Sequence, residues 1–111
     1  MKQYVIHAFD GTDAEALNRR LAVHQAHFEH MSPYKSAGNF ILGGAMLDDK
    51  GQMIGSTVVM QFESDADFQA YLDSEPYVQN KVWLDMKIFT FKTATVLPSS
   101  EKYDWQITKA T

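Results

Sequence analysis

The order in which hydrophobic periods change along the chain limits its fold more than any other feature. The run Tyr4 to Phe9 is rich in strand formers and closes at Asp10-Gly11, which reads as a strand ending in a turn. Leu17, Leu21, His24, Phe28 and Met31 then recur at alternating spacings of four and three, predicting one stripe of an amphipathic helix. Thr12 and Glu15 form a capping-box signature before it, and Pro33 is expected to end it. Two strand runs, Phe40 to Met46 and Ser56 to Phe62, flank an Asp48-Asp49-Lys50-Gly51 turn. Ser64 with Asp67 opens a second helix, whose apolar face is Phe68, Tyr71 and Leu72 and which stops before Pro76. Glu75 to Lys81 predicts an irregular turn or short helix. Val82 to Phe89 then alternates in the strand period, with Val82, Leu84, Met86 and Ile88 on one face. The order β-α-β-β-α-β is that of the split βαβ, ferredoxin-like α+β arrangement, in which two helices cover one face of a four-stranded antiparallel sheet.

The other sheet face would carry Trp83, Asp85, Lys87, Phe89 and Phe91, and the remaining strands offer apolar residues at both parities. With 111 residues and no third long helix to cover that face, a second copy is expected to do so, joining two sheets into a dimeric α+β barrel. The domain is expected to span 1–92. The extension 93–111 carries Tyr103, Trp105 and Ile107, expected to dock on the body or across the dimer.

Composition narrows the function. There is no cysteine, so thiolate nucleophiles, disulfides and zinc fingers are excluded. The net charge of -4 has the wrong sign for a nucleic-acid footprint. No run approaches the roughly 20 apolar residues of a membrane helix, and His7 and Asp10 interrupt any leader-like stretch, so a cytoplasmic protein is expected. Neither a phosphate-binding glycine loop nor a GxSxG elbow is present.

The local cluster with catalytic potential is His24, His27 and His30 on the first helix. On a wheel of about 100° per residue, His24 falls inside the stripe, His27 shares an edge of it with Arg20, and His30 faces away. A histidine at the rim of an apolar stripe can act in proton transfer, although spacing alone favours a packed, hydrogen-bonded structural histidine. His24 and His30 take the structural reading from spacing. No metal or other cofactor is expected, because the histidines lack a carboxylate partner on the same face.

The segments Arg20-Leu21-Ala22-Val23, Ala26-His27-Phe28, Gly38, Ile41-Leu42-Gly43-Gly44-Ala45-Met46, Gly55-Ser56-Thr57-Val58, Phe62-Glu63-Ser64 and Glu75-Pro76-Tyr77-Val78, in that order, resemble the YciI-like (YCII-related) family. The resemblance implies a small ferredoxin-like domain that dimerises. It also implies an acid/base dyad in which His27 pairs with the acid of an Asp-Pro-Tyr-type motif, here Glu75 in Ser74-Glu75-Pro76-Tyr77. Lys81 stands where the family often has glycine, and Ala45 where it often has proline. With this dyad as the catalytic pair, Arg20, His24 and Tyr77 are the expected substrate-binding residues, Arg20 holding a substrate anion near the pocket mouth.

The leading expectation is a cofactor-free enzyme that eliminates or isomerises a small, cyclic or aromatic organic substrate. A noncatalytic ligand-binding or interaction module on the same dimeric fold is the alternative. A cofactor-free monooxygenase would need a pocket able to hold a polycyclic substrate. His27 and Glu75 facing one enclosed cavity within hydrogen-bond reach favours the enzyme, and a filled core around His27 favours the module.

Overall fold

The computed structural model describes residues 1–94, and the expected docking of Tyr103, Trp105 and Ile107 lies outside them. The elements run β1 (Lys2–Asp10), α1 (Ala16–Ser36), β2 (Phe40–Leu47), β3 (Met53–Phe62), α2 (Asp65–Ser74), α3 (Pro76–Gln79) and β4 (Trp83–Phe91). The strands form one antiparallel sheet in the order β2-β3-β1-β4, which is the ferredoxin-like topology. Among the described residues, no helix is long and apolar enough to cross a membrane.

Local chemistry accounts for most boundaries. The Asp48 carboxylate accepts the amides of Lys50 and Gln52, and Gly51 supplies the φ of 78° that closes the β2–β3 turn. Ser64 caps α2 by accepting the Asp67 amide at 3.1 Å. Pro76 starts α3 at its first turn, where a missing N–H is harmless.

The inward parity of the sheet, Tyr4, Ile6 and Ala8 of β1 with Val58, Met60 and Phe62 of β3, packs on Met31, Phe68, Tyr71, Leu72 and Tyr77 from the helices. The opposite face is open. It presents Phe9, Leu42, Phe89 and Phe91, each between 40% and 66% exposed, around Val5 and Val59.

Four sequence expectations are corrected. The Thr12/Glu15 capping box does not form: α1 starts at Ala16, and the Glu15 carboxylate takes the Asn18 side-chain amide instead. Pro33 does not end α1, which runs on to Ser36. Pro33 lies on the exposed side of the last turns, where water can take the Glu29 carbonyl it leaves unpaired.

The inward stripe of α1 is also rotated by one residue, about 100°. Ala16, Arg20, Val23, His27, Met31 and Tyr34 face the sheet and α2–α3, whereas Leu21 and Phe28 are about half exposed. His30 is thereby turned inward, with its ring against Tyr71 and Tyr34. Polar side chains occupy this face because acceptors wait opposite them. Finally, Trp83 leaves the open face. A register shift at Phe9/Asp10 turns it to the helix side, where it is 4% exposed.

Candidate active site

The site grows from the end of α2. Glu75 ends that helix and caps α3, its Oε1 accepting the Tyr77 amide at 2.9 Å. This fixes the carboxylate with no exposure at all. Oε2 accepts the Tyr71 hydroxyl at 3.2 Å. Oε1 also meets His27 Nδ1 at 2.8 Å, across 48 residues of sequence. Since Oε1 is already an acceptor for an amide, the shared hydrogen belongs to His27 Nδ1, which in the neutral ring leaves Nε2 as the acceptor. His27 Nε2 has no protein partner among the described residues.

His27 is held on three further sides. Its ring stacks on Tyr77 at 4.0 Å and 7°, and meets Phe28 and Trp83 at 5.7 and 6.0 Å. The Tyr77 hydroxyl shares a hydrogen bond with His24 Nδ1 at 3.1 Å. Burial, opposed by the Arg20 cation and reinforced by Glu75, raises the Tyr77 phenol above its ordinary value, so it stays protonated. His30 approaches Glu75 from the other side, but its Nδ1 lies 3.6 Å from Oε2, too far for a hydrogen bond, while its Nε2 bonds Ser74 Oγ at 2.7 Å.

Arg20 is 4% exposed and does not stand at a mouth. Its Nη1 lies 3.1 Å from both oxygens of Asp10, its Nη2 donates to Ser56 Oγ at 2.8 Å, and the guanidinium lies 4.9 Å from the Tyr77 ring centre. Asp10 therefore already balances its charge. Burial pushes the Asp10 carboxyl up from its ordinary value against the pull of Arg20.

A cavity of about 150 Å³ opens between α1 and the β2–β3 hairpin. Arg20, His24, His27 and Tyr77 line one end, with Ser56 on the floor and Phe28, Met31 and Phe40 as apolar wall. Gly43 keeps it open, because a side chain there would start 2.9 Å from the Phe40 ring. Glu75 lies behind His27 and not on the cavity wall. Among the described residues, no three histidine or acidic side chains gather in a metal-holding cluster.

Thus the structure brings together all five residues singled out from the sequence, His27, Glu75, Arg20, His24 and Tyr77. Sequence reasoning missed Asp10, Ser56, Tyr71 and Trp83. Ser56 did carry a signal: it is the small polar residue at the inward parity of a strand otherwise filled by Val58, Met60 and Phe62.

The topology and the buried carboxylate–histidine pair define a ferredoxin-like α+β protein with a small polar-ended cavity beside the pair. The chain belongs to the YCII-related family, whose domain model matches residues 2–92. It is 35% identical over 95 residues to Protein YciI of Escherichia coli and of Shigella flexneri, covering 80% of this chain and 95% of each of those proteins. Among solved structures it is similar to 5-chloro-2-hydroxyhydroquinone dehydrochlorinase from Burkholderia phenoliruptrix in complex with 2,5-dihydroxybenzoquinone. That likeness has a TM-score of 0.71 at 21% identity, covering 83% of this chain and 95% of that one. An antibiotic biosynthesis monooxygenase shares the fold with a TM-score of 0.52 at 11% identity, over 86% of this chain and all of that one.

Proposed function

We propose that the protein is an acid/base enzyme that moves a proton at carbon on a small organic substrate of about one ring, with His27 as the base and Glu75 as the group that orients it. The observation that carries this reading is a fully buried carboxylate 2.8 Å from Nδ1 of a histidine that also lines a cavity. Such an arrangement holds one tautomer and stabilises the imidazolium formed when Nε2 takes a proton. The substrate C–H bond breaks to Nε2, and its electron pair moves into the substrate's π-system. In isomerisation the proton returns at another carbon; in elimination the C–H pair becomes a new π bond and the leaving group departs with the pair of its own bond to carbon. A cavity near 150 Å³ has about the volume that accepts benzene, which supports a single ring and disfavours the polycyclic substrate of a monooxygenase reading.

The dihydroxybenzoquinone bound by the dehydrochlorinase is a probe of suitable size. Its ring carbons are enol carbons, whose hydrogens exchange by addition of a deuteron at carbon followed by removal of the original proton from the resulting tetrahedral carbon, both of them proton transfers at carbon. The protein should speed that exchange in D₂O above buffer, His27→Ala should remove the acceleration, and Glu75→Gln should lower it by about tenfold or more. Exchange at the buffer rate, or equal rates for parent and His27→Ala, would overturn the reading. The same reading includes a homodimer formed through the open sheet face, supported by the exposed Phe9, Leu42, Phe89 and Phe91.

A further inference from the structure

Ser56 is a 4% exposed hydroxyl on the floor of the cavity. Its oxygen receives two hydrogen bonds, from Arg20 Nη2 at 2.8 Å and from the Trp83 indole N–H at 3.2 Å. Neither guanidinium nor indole N–H can accept. A hydroxyl has two lone pairs and one hydrogen, so both lone pairs are used and the hydrogen must go elsewhere. Among the described residues Ser56 Oγ donates to no acceptor. A buried donor left unpaired is unfavourable, and the open direction for this one is the cavity. Its donors also strengthen it: a cationic guanidinium, fixed by Asp10, withdraws charge from the oxygen whose O–H must donate.

We infer that Ser56 is the hydrogen-bond donor to a carbonyl oxygen of the substrate, so that the site takes ring-sized carbonyl compounds. This rests on the acid/base reading of His27. When the C–H electron pair is released, it can run through the conjugated system to that oxygen, and the Ser56 O–H meets the enolate charge as it forms. Arg20, held by Asp10, acts through Ser56 as a positioning residue. The inference also explains why a full cation sits beside the cavity with its charge already matched by Asp10. It polarises the donor and does not capture an anion.

The test uses 2,5-dihydroxybenzoquinone with the full chain. Infrared difference spectra of the bound quinone should show a carbonyl stretch moved to lower wavenumber. Ser56→Ala should remove that shift and weaken binding about tenfold, the worth of one charge-assisted hydrogen bond. Ser56→Thr, which keeps the hydroxyl, should preserve both. Since Ser56→Ala also strips Arg20 and Trp83 of an acceptor and can unfold the chain, the parent spectrum stands as an independent check. An unshifted carbonyl in the parent, no quinone binding by the parent, or equal affinity and stretch in Ser56→Ala would each overturn the assignment. Failure of the two readings is separable, because His27→Ala should abolish deuterium exchange while leaving the carbonyl shift in place.

Discussion

Replacing Glu75 by alanine should destabilise the fold far more than replacing it by glutamine, for a reason that can be counted. Glu75 is fully buried and accepts from His27 Nδ1, the Tyr77 amide and the Tyr71 hydroxyl. Alanine orphans three donors, each worth about 1–3 kcal/mol when left unpaired and buried. One of the three, the Tyr77 amide, is the cap of α3, and accounts for about 1 kcal/mol of that sum. Against this, the fold no longer has to desolvate a carboxylate, a relief of several kcal/mol. The net loss is about 2–4 kcal/mol, or about 10–25 °C in Tm for a domain of this size. Glutamine keeps one oxygen to take both N–H groups, and its amide can donate to the Tyr71 oxygen, so its loss should stay within about 1 kcal/mol. Urea unfolding of the parent and the two variants, with equal m-values confirming comparable folds, measures both numbers. Equal losses in the two variants, or an alanine loss below about 1 kcal/mol, would refute the acceptor count on which the site rests.

Lys81 has φ of 57°, the left-handed region that glycine occupies freely, so Lys81→Gly should raise stability by about 1 kcal/mol, read as a higher Tm. Burial raises the phenols of Tyr4, to about 12, and of Tyr71 and Tyr77. An unfolded phenol ionises near pH 10, so the native state binds more protons above that pH: stability is full below it and falls as pH rises towards about 12. Tyrosinate absorbance for these three rings should therefore appear together with loss of the circular dichroism of the fold, and ionisation in a still-folded chain would contradict their burial. Phe89 is 56% exposed on the open sheet face, so Phe89→Asp should convert a species of twice 12.6 kDa in light scattering to one of 12.6 kDa. A parent already at the lower mass would exclude the sheet-to-sheet dimer.

The architecture is legible because the strand runs are short, rich in strand formers and closed by turns, the last one alternates at period two, and the second helix announces itself by Ser64, Phe68, Tyr71 and Leu72, all used as the pattern implies. The first helix was harder to read. Its apolar periodicity follows Leu17, Leu21 and Phe28, yet the face that packs is one residue over, because burial there is carried by polar side chains with partners distant in sequence. Arg20 finds Asp10 and Ser56, and His27 finds Glu75. Periodicity registers hydrophobicity and is blind to such pairing. For the same reason periodicity turns His30 outward, and strict strand alternation, which does not foresee a bulge, puts Trp83 on the open face. The His27–Glu75 pairing came from family resemblance. Spacing alone could not bring together residues 48 positions apart.

That rotation of α1 is also the strongest argument that the cavity is functional. Folding energy alone would turn Leu21 and Phe28 inward and leave Arg20 and His27 in water, since burying a large apolar side chain stabilises by about 1.5–3 kcal/mol and burying charge does the reverse. Here the apolar pair is about half exposed, whereas Arg20 is buried and the His27 side chain is only 13% exposed. The arrangement holds only because acceptors are supplied from three separate elements: Asp10 on β1, Ser56 on β3 and Glu75 between α2 and α3. Each is placed so that one polar group of the cluster, His27 Nε2 or the Ser56 hydrogen, stays unpaired towards the same cavity. A core optimised for stability would have paired or removed those two groups, and in the function proposed above they are the two that meet the substrate.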